Sequence, residues 1–215
     1  PDVPPGALPP GFVAIDLARA LHLAVFDTDD DYKEVLPGEH LKRGDAFIGA
    51  DRAHPQLIVA ANGGSDLIYL LGNRKKRLAR RVAAALLEQD YVSGLFTDTR
   101  LGPVPGALRL ADINLEGNAL TPHPDMVVNF RSFDTGCGEP VRCAALVADN
   151  AYQQGQGVHG ALSRADTWNF MAMLGPDFKR GFVDPAPASN ADLGRTIAYL
   201  LRPQFTDRGS LTGRV

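Results

Sequence analysis

Apolar and polar positions divide this chain into short patterned runs separated by turn-forming residues. After a proline- and glycine-rich start ending at Gly11, the mostly apolar stretch Phe12 to Leu23 predicts a helix that ends near Leu23. Polar punctuation then fills the chain as far as Gly49. Leu57 to Ala61 and Asp66 to Leu70 are strand-like runs, and Asn62, Gly63, Gly64 and Ser65 between them suit a turn with positive φ angles. Together they predict a hairpin. Leu78, Val82, Ala85 and Leu86 recur at helical spacing in a helix expected to be capped by Asn73 and to reach Glu88. Tyr91 to Phe96 reads as a strand, and Leu101 to Leu110 as a turn leading into a short extended run. Residues 57–115 thus read as a small α+β unit.

Farther along, Met126 to Phe130 and Ala144 to Ala148 are apolar, β-branched runs of a buried strand's length, expected to return the chain to a larger sheet. Near the end, Ser189 and Asp192 have capping-box spacing for a helix that carries Leu193, Ile197, Leu200 and Leu201 on one stripe and stops at Pro203. No internal repeat occurs.

With 215 residues, 45% hydrophobic and 22% charged, the chain is ordinary for a globular protein able to bury a substantial core. Its formal net charge of -3 supplies no global basic field, which disfavours a nucleic-acid polymer as partner. No run approaches the ~20 consecutive apolar residues of a membrane span. The chain opens on proline and is read as a piece of a longer protein, in which any signal peptide would lie outside the sequence given. Cys137 and Cys143 bracket a short loop suited to a local disulfide, which would remove roughly 2 kcal/mol of denatured-state freedom. Two reduced thiols are the alternative. A disulfide would imply an extracytoplasmic compartment, and two cysteines are too few to bind zinc by themselves.

Several charged or polar clusters invite chemistry and have plainer readings. Asp27 to Tyr32 begins like a calcium loop, but Tyr32 and Gly38 stand where such a loop needs glycine and glutamate, so an exposed acidic turn is expected. Arg74, Lys75, Lys76, Arg77, Arg80 and Arg81 crowd the start of the second helix, where positive charge opposes the macrodipole. They could mark an anion site or form a solvated face. His22, His40, His54 and His123 sit at a helix end or in loops and are expected to be solvated or locally bonded. Ser65, Ser163 and Thr167 lack a recognisable activating base, so none is assigned as a nucleophile.

His159 differs in its surroundings, because Gly155, Gly157 and Gly160 give the backbone freedom to aim the imidazole. A neutral imidazole is a common zinc ligand, yet a catalytic zinc needs about three protein ligands, and no second ligand stands at a recognisable spacing from His159. The residues alone therefore leave a ligand and an ordinary turn histidine both open.

Six segments follow one another in a characteristic order: NGGSDLIYL from Asn62, QDYVSGLF from Gln89, TPHPDMVVNF from Thr121, GQGVHG from Gly155, GPDF from Gly175 and SNADLGRTIA from Ser189. In this order they resemble the type I phosphodiesterase and nucleotide pyrophosphatase branch of the alkaline phosphatase superfamily. The resemblance implies an alkaline phosphatase-like α/β/α sandwich, with helices on a mostly parallel sheet. This chain, residues 1–215, would be its incomplete C-terminal portion, and residues 57–115 a cap-like insertion. By the same resemblance His159 is a zinc ligand, and the intact enzyme uses two Zn2+ ions to hydrolyse phosphodiester or pyrophosphate bonds in a small molecule such as a nucleotide. Pro176, Asp177, Phe178, Asn190, Asp192 and Thr196 would support the site. The family's upstream aspartate ligand, its serine or threonine nucleophile and its Asp-His-Gly triplet are not found here, so the chain alone is expected to be inactive. Phosphomonoesterase or phosphotransferase activity of the same superfamily is an alternative, as is a non-catalytic binding or structural module. A periplasmic or secreted location is expected.

Overall fold

A computed structural model describes residue 3 and residues 7–116, 122–139, 143–151, 156–201 and 213–215. The chain divides into two units, one built from residues 1–116 and 123–168, the other from residues 117–122 and 169–215. Thr121, Gly155 and Pro203 of the sequence motifs lie outside the described residues.

The first unit begins with helix α1, Phe12–Leu21, whose buried positions Phe12, Val13, Ala14, Leu17, Ala18 and Leu21 form one apolar face. It ends where His22 adopts the left-handed conformation at φ 57° and Leu23 N–H returns to Ala18 C=O at 2.9 Å, satisfying a terminal carbonyl. Strands β1 (Ala24–Asp27), β2 (Lys33–Glu34), β3 (Ala46–Gly49), β4 (Pro55–Ala61) and β5 (Ser65–Leu70) precede helix α2 (Lys75–Leu87). Strands β6 (Val92–Thr97), β7 (Leu108–Arg109) and β8 (Met126–Phe130) complete an eight-stranded sheet of order β2-β1-β3-β4-β5-β8-β6-β7.

This sheet corrects the expectation of a mostly parallel one. Every neighbouring pair is antiparallel except β6 with β7. The reason is loop length: a parallel neighbour needs a crossover of a dozen residues or so, whereas β4 turns into β5 through Asn62, Gly63 and Gly64 alone. The crossover through α2 joins β5 to β6, and β8 inserts between those strands, giving a split βαβ unit; residues 98–107 carry β6 to its parallel neighbour β7. The elements of residues 57–115 therefore share one sheet with β1, β3 and β8. Three strands, β1 to β3, lie in the stretch that reads in sequence as polar punctuation.

Both helices pack on one face of the sheet, over Ile48, Leu57, Val59, Ile68, Leu70, Met126, Val128 and Phe130. Tyr91 meets Phe12 and Phe130 edge-on, and those two rings are tilted to each other, with ring centroids 4.6 to 6.0 Å apart. The opposite face carries a smaller cluster of Phe96, Leu110 and Val127. Asn73 does not cap α2, because the N-cap is Arg74 and it contributes no side-chain bond. The run from Ala144 to Ala148 does not join the main sheet either. Its strand β10, Ala144–Leu146, pairs only with β9, Ser132–Asp134, beside the loop closed by the Cys137–Cys143 disulfide. Those strands are too short and too exposed to bury an edge. One further helical turn, α3 (Arg164–Thr167), closes the unit.

In the second unit Gly175 to Phe178 forms the expected turn, with Phe178 N–H to Gly175 C=O at 3.4 Å. Helix α4, Asn190–Leu201, starts after Ser189, whose N–H donates to Asp192 Oδ2 at 2.8 Å in half of a capping box. Leu193, Ile197 and Leu201 on its stripe are exposed.

Candidate functional site

His159 lies in the first unit with its side chain exposed and its backbone held tightly. Its C=O accepts from Gly64 N–H at 2.9 Å, Ser65 Oγ donates to Gly160 C=O at 2.5 Å, and Leu162 N–H donates to Asn129 Oδ1 at 2.7 Å. The imidazole-bearing segment is thereby fastened to the start of β5 and the end of β8. Glycine is required by this approach. A Cβ on Gly64 would stand 2.4 Å from Ala161 Cβ, and one on Gly160, at φ 83°, would stand 2.2 Å from Asn62 C=O. The turn Asn62–Ser65, legible in sequence as a hairpin connector, therefore also seats the histidine segment.

Beneath that seat lies a pair of acids that sequence reading passed over. Asp66 and Asp149 are both fully buried. Asp66 follows the alternation that sends Ile68 and Leu70 into the core, so an acid occupies an apolar position of β5. Asp149 bridges to Gly63, its N–H donating to Gly63 C=O at 2.9 Å, and its Oδ1 accepts Gly11 N–H at 2.6 Å. Gly11 is the N-cap of α1 and has no side chain to do this itself, so an acid 138 residues away caps the helix. Burial, reinforced by the neighbouring Asp149 charge, pushes the Asp66 carboxyl well above the ordinary range, and burial raises Asp149 to about 6. Neither Oδ2 has a hydrogen-bond donor among the described residues, and a hydrogen bond between the two carboxyls would need a proton on one of them.

The other candidates have structural surroundings. Asp27 is buried at the end of β1, accepting Asp29 N–H at 2.9 Å and Lys42 N–H at 2.8 Å, which corrects its reading as part of an exposed turn. Asp30 pairs with Lys42. Lys75 pairs with Asp125 at 2.9 Å, whereas Arg74, Lys76, Arg77, Arg80 and Arg81 are exposed and form no ion pair among the described residues. His22 caps α1, His40 Nδ1 meets Leu41 C=O at 2.8 Å, and His54 Nδ1 meets Asp51 at 3.0 Å. Ser163 caps α3 by accepting Asp166 N–H at 3.3 Å while its hydroxyl donates to the Asp166 carboxylate, and Thr167 Oγ1 donates to Ser163 C=O at 3.1 Å. In the second unit Asp192 also accepts Arg214 N–H at 2.7 Å, while Pro176, Asp177 and Asn190 are exposed.

Among the described residues, no group of three His, Cys, Asp or Glu side chains is arranged to hold a metal ion. One imidazole does not fill a zinc coordination sphere, so a complete zinc centre does not fit the described residues. What the 156–163 segment offers is one exposed imidazole on a backbone bonded to Gly64, Ser65 and Asn129. The acid pair was detectable in sequence only as Asp66 in phase with Ile68 and Leu70; Asp149 carried no comparable signal. No family model, no curated protein and no solved structure matches the chain.

Proposed function

We propose that this chain is part of a zinc-dependent hydrolase of phosphodiester or pyrophosphate bonds in small molecules such as nucleotides, with His159 as its contribution to the metal centre. The observation that carries this reading is the mount: an exposed imidazole in a GQGVHG motif, its backbone fixed by bonds to Gly64, Ser65 and Asn129. A ligand held this way loses little freedom on binding, which favours metal affinity. The order of the six sequence motifs supports the same reading. On it, the remaining ligands and the nucleophile come from polypeptide outside these 215 residues, and the eight-stranded sheet is one part of an alkaline phosphatase-like assembly. The Cys137–Cys143 disulfide supports a periplasmic or secreted setting.

His159→Ala in the protein that carries this chain with its flanking sequence tests the assignment. Zinc content by elemental analysis and turnover of a nitrophenyl phosphodiester should fall together, by about 10-fold or more. Unchanged zinc content removes His159 from the ligand set.

A further inference from the structure

Asp66 Oδ2 and Asp149 Oδ2 are both buried with no hydrogen-bond donor among the described residues, and the two carboxyls act on each other. A single proton between them satisfies both oxygens at once. The roles are unequal. Asp149 accepts the Gly11 N–H at the positive end of α1, which suits a carboxylate, so Asp66 is the partner that carries the proton. The charges around the pair are acidic: Asp45, anchored through Ala61 N–H at 2.8 Å, acts on both carboxyls, and α1 supplies Asp16 through Tyr91, whose hydroxyl donates to it at 3.2 Å. Burial, with Asp16 beside it, raises the Tyr91 phenol far above its ordinary range, so it stays neutral. The neighbouring 156–163 segment brings His159, whose side chain is exposed.

We propose that Asp66 and Asp149 form a single-proton latch that fastens the start of α1 and the histidine-bearing segment onto the sheet at neutral pH and releases them in alkaline solution. The connection is short. Asp149 N–H holds Gly63 C=O, and the next residue, Gly64, holds His159 C=O. When the shared proton leaves, two adjacent buried carboxylates repel, with Asp45 adding to the repulsion. This inference concerns the seat of the segment and holds whether or not His159 binds metal.

Because the folded pair keeps a proton that the unfolded chain has lost above the ordinary aspartate range, stability must fall as pH rises. Urea unfolding of the full chain as pH rises from neutral should show the unfolding constant rising by up to about tenfold per pH unit, beyond the trend set by other groups, for as long as the folded pair keeps its proton, and levelling once that proton is lost. Asp66→Asn donates the same hydrogen bond with no proton to lose, and should remove that increment. Amide exchange locates the release: in the wild type, protection of Gly11 and Gly64 should fall with pH more steeply than that of Leu70, and in Asp66→Asn the three should run parallel. Asp149→Asn, which retains an acceptor for Gly11, is the second variant should the first not fold, and the same flattening is expected. An alkaline slope shared by wild type and variant overturns the latch, as does wild-type protection at Gly11 and Gly64 that follows Leu70.

Discussion

The two ends of strand β5 hold buried acids by opposite means. At its C-terminal end Asp125 accepts Leu70 N–H at 2.8 Å and pairs with Lys75, while Asp98, bonded through its own N–H to Asp125 C=O at 2.9 Å, pairs with Arg100. At its N-terminal end Asp66 and Asp149 have no cation among the groups acting on them and rely on a proton. The difference teaches that a buried carboxylate needs compensation of some kind, and that its source sets the direction of the pH response. The hydrogen bond from Arg100 lowers the Asp98 pKa, so its contribution is present above the ordinary aspartate value of 3.8 and lost as pH falls through the lowered native value. The contribution of the proton-sharing end is present below that value and lost as pH rises, first through about 6 and then higher.

Removing Asp149 should break the comparison most severely. Asp149→Ala strips α1 of its cap, leaves Asp66 without an acceptor and opens space under Gly63, so a loss of about 3 kcal/mol is expected in urea unfolding at pH 7. Asp125→Ala should cost less, about 2 kcal/mol, nearly all from the orphaned Leu70 N–H, because the Lys75 side chain is 43% exposed and water screens its ion pair. A larger loss from Asp125→Ala than from Asp149→Ala would reverse the ranking of the two ends. Ser65→Ala removes one bond to the histidine segment and should cost about 1 kcal/mol, together with faster amide exchange at Leu162. Smallest of all is Arg100→Ala, whose effect belongs to the acid arm: the pH at which stability begins to fall should move up toward the ordinary aspartate range, leaving the alkaline arm unchanged. An alkaline arm that moved as well would show the two ends to be coupled.

Sequence periodicity located α1, α2, α4, the β4–β5 hairpin, β6 and β8, because each buries a regular face. It missed β1 to β3, because the apolar runs of β1 and β3 are only three residues long within a polar stretch and β2 is Lys33–Glu34; the end of β1 is Asp27, buried by bonds to Asp29 and Lys42 rather than by an apolar side chain. It also gave Ala144–Ala148 to the larger sheet, since an apolar run does not reveal which edge remains free. His159 was legible as a glycine-flanked imidazole. Its mount was not, because the bonds to Gly64, Ser65 and Asn129 join positions far apart in the chain.

Local sequence by itself therefore determined where α1, α2, α4 and strands β4, β5, β6 and β8 form, the turn chemistry of Asn62–Ser65, and the one imidazole that stands apart from the other four. Those features follow from side-chain period and backbone freedom, which neighbouring residues decide. Tertiary structure alone decided that the sheet is mostly antiparallel, that Asp149 caps a helix 138 residues away, and that it meets Asp66 where a proton takes the place of a cation. The physical reason is that strand partners and buried charge compensation depend on which distant groups share a space too dry to leave them unpaired.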